Sequence, residues 1–198
     1  MERHMTDLWI ATHNEGKVKE MRTIASPFPV TLKTAAEAGA FVAFPETGTS
    51  FDENALEKAR TLHQVTGGWV AADDSGLCVD SLGGAPGIYS ARYSGEDAND
   101  RTNVALLLEN MKNVKEEDRG AHFHCSFAVI APDGTETIYH GQTMGKIALA
   151  PVGERGFGYD PVFIPQGETR TMAEMEPREK HRISHRGRAL RAFLEEMF

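Results

Sequence analysis

Asp73 and Asp74 follow the apolar run Trp69-Val70-Ala71-Ala72 and precede Ser75-Gly76, so two carboxylates stand where a buried strand delivers the chain. Adjacent carboxylates raise each other's proton affinity unless a cation or donors compensate. A magnesium ion held by one or two carboxylates and by substrate phosphates is one such compensation. Gly76 lets the backbone approach a ligand closely. Asp-Asp-Ser-Gly is also favoured turn chemistry, so a turn without a ligand is the competing reading. Glu46, in Pro45-Glu46-Thr47-Gly48, offers a further carboxylate from another loop, with an ordinary solvated glutamate as its alternative.

Cations and donors occur in separate segments. Thr12-His13-Asn14-Glu15-Gly16-Lys17 joins a strand to a helix, so the helix's unpaired backbone N–H groups and positive dipole end can face an anion, with Lys17 adding a full charge. The loop is not a P-loop, because the second glycine is absent and Val18 stands where a magnesium-binding hydroxyl belongs. Asn54 and Lys58 are four apart and share a helix face; a solvent-facing pair, with Lys58 paired to Glu53 or Glu57, is the plain alternative. Phe157-Gly158-Tyr159-Asp160 could stack a ring on a purine, or could pack its aromatics into the core. Lys180, His185 and Arg186 form a basic set before and at the start of the last helix, where exposed cations at a helix start are the rival reading.

The elements that must position these groups follow from hydrophobic period. Leu8 to Thr12 reads as a strand, Glu15 to Ile24 as a helix with Val18, Met21 and Ile24 on one face, and Val30 to Lys33 as a second strand. Phe51 to Val65 is helical, with Ser50 as a cap. A further helix fits Asn99 to Met111. His122 to Ala131 alternates, Pro132-Asp133-Gly134 turns, and Glu136 to Ala150 returns as one or two strands. Ser184 caps a last helix through Phe198. Strands alternating with helices, followed by a hairpin, predict an α/β protein with a mixed central sheet flanked by helices.

The chain has 198 residues, which suits one domain spanning residues 1–198 with a substantial core. A net charge of -8 argues against a nucleic acid polymer as partner, since that affinity rests on lysine and arginine, yet permits a small anion gripped by local cations. Cys78 and Cys125 lie in separate apolar stretches, as buried thiols do. The absence of a signal-like or membrane-spanning run sets the expectation of a cytoplasmic protein with no membrane partner.

Seven segments occur together in one order: Ala11 to Lys17, Glu46-Thr47-Gly48, Phe51 to Ala59, Ala72 to Leu77, Gly83 to Tyr93, Gly156 to Pro161, and Ile183 to Gly187. With them the chain, from Leu8 to its last helix, resembles the inosine triphosphate pyrophosphatase family, which includes the bacterial XTP/dITP diphosphatases. The resemblance implies an elongated α/β fold with two lobes and a nucleotide cleft between them, usually a homodimer, and Mg²⁺-dependent release of pyrophosphate from ITP, dITP or XTP. It likens Thr12, His13, Asn14, Glu15, Gly16, Lys17 and Lys58 to the triphosphate grip, Glu46 and Asp74 to the metal ligands, and Asp74 to the proton acceptor. Ser75, Phe157, Gly158, Tyr159, Asp160, Lys180, His185 and Arg186 resemble the remaining substrate contacts. His13 departs from the pattern, since many relatives carry glycine there. The residues before Leu8 extend beyond the usual start.

Within that frame, Asp74 organises the metal and accepts a proton from the attacking water, Glu46 completes the metal shell, and Lys17 and Lys58 absorb leaving-group charge. Donors from Arg186, His185 or nearby backbone can pair with a 6-carbonyl of inosine or xanthosine and mismatch the 6-amino group of adenosine. A nucleotide sensor without catalysis, or a pyrophosphatase for other modified nucleotides, are the alternatives.

Overall fold

The computed structural model describes residues 5–39 and 41–198. Its sheet has six strands in the order β2-β1-β3-β4-β5-β6, formed by β1 (Thr6–Ile10), β2 (Val30–Thr34), β3 (Trp69–Val79), β4 (Gly120–Ile130), β5 (Glu136–Ile147) and β6 (Phe163–Pro165). β1 runs parallel to both β2 and β3, while β5 and β6 are antiparallel, so the mixed α/β sheet expected from the sequence is present. The helices are α1 (Glu15–Ala25), α2 (Phe51–Thr66), α3 (Asp100–Asn110), α4 (Pro177–Ile183) and α5 (His185–Met197). Among the described residues no helix is long and apolar enough to cross a membrane.

Capping sets the helix starts. The side chains of Asn14, Ser50 and Asn99 accept from the backbone N–H groups of Lys17, Glu53 and Thr102, satisfying donors that a helix N-terminus leaves orphaned. α4 begins with Pro177 at its first position and a capping box between Glu176 and Glu179; it is a helix that hydrophobic period alone does not reveal.

Two compact units are distinguished. The first comprises the chain up to Asp74, Cys125–Gly141 and Arg186–Phe198; the second comprises Ser75–His124 and Gln142–His185. In the first unit, Leu8, Ile10, Met21, Ala71, Phe127 and Leu190 build a core with α1 and α5, while Ala55, Ala59, Leu62, Val70, Ala72 and Ile130 build a core with α2. Ala71 and Ala72 thus face opposite sides of β3, as strand geometry requires. That alternation carries into Asp73 and Asp74. The second unit has its own core around Leu77, Leu107, Met111, Phe123, Val162 and Phe163.

Candidate active site

Asp73 and Asp74 lie inside β3, not in a turn: the strand continues through Ser75 and Gly76 to Val79. The turn-like composition of Asp-Asp-Ser-Gly is overridden by burial, Asp73 and Asp74 being 1% and 5% exposed. Because neighbours on a strand point to opposite faces, each aspartate has a separate set of partners, and the expected mutual repulsion of two carboxylates in one place is largely relieved.

Asp74, 5% exposed, faces α2. Its Oδ1 accepts from the Lys58 ammonium at 2.9 Å and its Oδ2 from the Asn54 amide at 3.2 Å. The same Lys58 Nζ lies 2.9 Å from Glu46 Oε1. Lys58 and Asn54 are 5% and 0% exposed, so the solvent-facing reading of that helical pair is wrong. Burial raises the pKa of Asp74 above the ordinary carboxylate value and outweighs the opposing pull of Lys58 and Lys17, with Glu46 adding to the rise. Burial also works against the Lys58 ammonium, but Asp74, Asp73 and Glu46 overcome it and hold its pKa above the usual lysine value.

Glu46 occupies an irregular segment that α2 holds in place. Glu57 accepts from the Thr47 N–H at 3.0 Å and the Thr47 hydroxyl at 2.8 Å, Asn54 Oδ1 accepts from the Gly48 N–H at 2.9 Å, and Glu53 accepts from the Thr49 N–H at 2.6 Å. A Cβ at Gly48 would sit 2.6 Å from Glu53 Cβ and 2.9 Å from Asn54 Oδ1, so only glycine permits this approach. Glu53 and Glu57, candidates for pairing with Lys58 by sequence spacing, serve the loop instead. Asn54 is thereby a link between the Glu46 loop and Asp74.

Asp73, 1% exposed, faces α1 and α5. It is 3.1 Å from the Lys17 ammonium and accepts from Arg186 Nε at 2.9 Å; Arg186 also donates from Nη1 to Glu20. Burial opposes the Arg186 charge, yet Asp73 and Glu20 outweigh it and raise its pKa. Base reading by Arg186 therefore requires donors beyond Nε and Nη1. Glu20, buried at 4% exposure on α1, is a member of this set that helical period could not single out.

In the loop before α1, the Thr12 hydroxyl accepts from the Asn14 N–H at 3.1 Å and Asn14 Oδ1 from the Lys17 N–H at 3.0 Å. The N–H groups of Glu15 and Gly16 have no partner within the helix and stand at its positive end, beside Lys17. His13, Asn14 and Glu15 are exposed. Every described residue with positive φ is a glycine, so histidine at position 13 fits the loop's backbone.

The second unit gathers other expected residues. Asp160 Oδ2 accepts from the Phe157 N–H at 3.0 Å and from the Lys180 ammonium at 2.6 Å, and that ammonium lies 4.8 Å from the centre of the half-buried Phe157 ring. Gly158 donates its N–H to Asp100 at 2.7 Å. Tyr159 is a core residue, 5% exposed, whose hydroxyl donates to the Ser90 carbonyl at 2.7 Å. The His185 ring stacks on Phe123, with centroids 4.7 Å apart and an interplanar angle of 11°. Ser75 is half-buried on β3. Ser90 and Asp100 support the aromatic loop and carried no signal of that role in the sequence.

Gly156 closes this loop at φ +76, and a Cβ there would lie 2.0 Å from Asp160 Oδ2. Gly156→Ala is expected to destabilise the protein by at least about 1–2 kcal/mol, the cost of a left-handed non-glycine residue, with the displacement of Asp160 added. Urea unfolding at neutral pH measures this; an unchanged midpoint would show that the loop yields without loss.

An α/β sheet whose central strand carries two buried aspartates, one facing a lysine and glutamate and the other an arginine and lysine, defines the class of site. Residues 8–196 match the Ham1 family, and the chain belongs to that family. A dITP/XTP pyrophosphatase of Streptomyces avermitilis is 51% identical over 190 residues, which cover 94% of each chain. Another of that name from Bacillus subtilis is 46% identical over 187 residues, again 94% of each. Among solved structures, a HAM1 protein from Coxiella burnetii matches with a TM-score of 0.87 at 37% identity over 98% of both chains, and the Staphylococcus aureus Ham1 protein with 0.84 at 38% identity over 97% of this chain and 100% of the other.

Proposed function

We propose that this protein hydrolyses ITP, dITP and XTP to the nucleoside monophosphate and pyrophosphate, removing deaminated purines from the nucleotide pool. The observation that carries the chemistry is the convergence of Glu46 and Asp74, from different segments, on one cationic point: each has an oxygen 2.9 Å from Lys58 Nζ. Two carboxylates facing one point are a hard-oxygen donor set that suits a divalent cation completed by phosphate oxygens and water. Mg²⁺ is the ion proposed, with Glu46 and Asp74 as its protein ligands; when bound it neutralises phosphate charge and makes a coordinated water more acidic.

The chain's own groups do the rest. The N–H groups of Glu15 and Gly16, with the Thr12 to Lys17 loop, hold the phosphates at the positive end of α1. Lys17 and Lys58 offset the charge that accumulates as the bond between the α-phosphorus and the bridging oxygen breaks. Asp74 takes a proton from the water that attacks the α-phosphorus, directly or through a second water, and its raised proton affinity suits that task. Phe157, Gly158, Tyr159, Asp160, Lys180, Ser75, His185 and Arg186 are proposed as contacts to the rest of the substrate. For Tyr159 the contact is through backbone, since its ring lies in the core. The reading carries with it a homodimer and a cytoplasmic setting.

A panel of ITP, dITP, XTP, GTP and ATP with Mg²⁺ tests the function. Turnover of the first three is expected to exceed that of ATP by at least about 10²-fold, below the 10⁴–10⁵ reach of a buried polar mismatch. Equal rates on ATP and ITP would contradict it, and binding of ITP without turnover would point to a sensor.

A further inference from the structure

We infer that His13 is a positioning residue for Glu46: it clamps the start of the Glu46 segment and thereby sets the affinity of the Glu46/Asp74 pair for a divalent cation. The inference rests on the reading of Glu46 as a metal ligand. Phe41–Gly48 contains no helix or strand, so backbone ladders do not fix where Glu46 stands. Its far end is held by Asn54, Glu53 and Glu57 of α2. At its near end, the Val42 side chain is buried and His13, from the loop before α1, takes hold of the backbone.

The His13 Nε2 atom lies 2.7 Å from the Val42 carbonyl oxygen. A carbonyl only accepts, so Nε2 carries the proton and donates. The same ring lies 4.8 Å from the Phe44 ring at 34° and 6.2 Å from the Phe41 ring at 16°, although Phe41 is 96% exposed. One histidine thus contacts three residues within the five that precede Glu46. These contacts restrict a segment whose freedom would otherwise be lost only when a cation binds, which is how outer-shell groups raise metal affinity. They also join the loop proposed to grip phosphate to the segment proposed to hold the metal.

The test is Mn²⁺ titrated into the nucleotide-free protein, with free Mn²⁺ followed by electron paramagnetic resonance. His13→Ala is compatible with the backbone, since no described non-glycine residue has positive φ. It is expected to weaken Mn²⁺ binding by about tenfold, the lower end of outer-shell effects on metal sites. His13→Gln keeps an N–H that reaches the Val42 carbonyl and is expected to restore binding to within about twofold of the parent, by the same reasoning. Glu46→Gln serves as the reference for loss of a ligand. If His13→Ala binds like the parent while Glu46→Gln binds weakly, the inference is wrong and the metal reading stands; it is also wrong if His13→Gln stays as weak as His13→Ala. If Glu46→Gln binds Mn²⁺ like the parent, the metal reading itself fails and takes the inference with it.

Discussion

Asp74→Asn is expected to lower kcat on ITP by at least about 10²–10⁴-fold, the contribution of a well-placed general base, with loss of a metal ligand adding to it. Asparagine keeps the shape and can turn its oxygen to the Lys58 ammonium, which lies 2.9 Å from Asp74 Oδ1 and retains Glu46 as a second partner at 2.9 Å. The variant should therefore fold and still bind nucleotide. Initial rates of pyrophosphate release at saturating ITP and Mg²⁺, with circular dichroism as a check on folding, measure the effect. Full turnover by a folded Asp74→Asn protein would remove Asp74 from the chemistry.

The second large effect falls on stability. Arg186→Met keeps volume but removes the guanidinium that donates to Asp73 and Glu20, which are 1% and 4% exposed. Removing one partner from a buried ion pair typically costs about 3–5 kcal/mol, because the remaining charge is uncompensated where water cannot reach it. Lys17 still faces Asp73 at 3.1 Å and limits the damage there. Arg186→Lys is expected to recover only part of the loss, since an ammonium lacks the planar fork that donates to both carboxylates at once. Urea unfolding of the three proteins under one buffer condition separates these outcomes; a parental midpoint for Arg186→Met would mean that Arg186 contributes nothing net to folding.

These two expectations assign the aspartates different work. Asp74 has a raised proton affinity and faces Glu46 and Lys58 on the α2 side. Asp73 faces the opposite side, where Arg186 and Lys17 neutralise it. A ligand-free turn, the competing reading of Asp-Asp-Ser-Gly, has no place in a continuous strand.

What the sequence made legible was local. The sequence located α1, α2 and α3 to within a residue or two, α1 and α2 because Val18, Met21 and Ile24, or Ala55, Ala59 and Leu62, recur on one face, and α2 also because Ser50 stands at its start; Asn14 and Asn99 emerge as caps only in the structure. β3 was legible only as far as Ala72, since Asp-Asp-Ser-Gly carries turn preference and its burial depends on segments far away. Lys58 and Asn54 were recognisable as a pair on one helix face, but whether that face met water or Asp74 is decided by tertiary packing. The Arg186 contacts to Asp73 and Glu20 span 113 and 166 positions. No local pattern encodes such a pairing. Glu53 and Glu57 illustrate the same limit in reverse, since their spacing suited Lys58 while the folded chain uses them to hold Thr47 and Thr49.

The central claim is cleavage between the α- and β-phosphates by groups gathered at Asp74. Phosphorus NMR of ITP incubated with the protein and Mg²⁺ in ¹⁸O-labelled water tests it most directly. The account predicts IMP carrying the label and unlabelled pyrophosphate in equal amounts, because water attacks the α-phosphorus. IDP with labelled orthophosphate would contradict it.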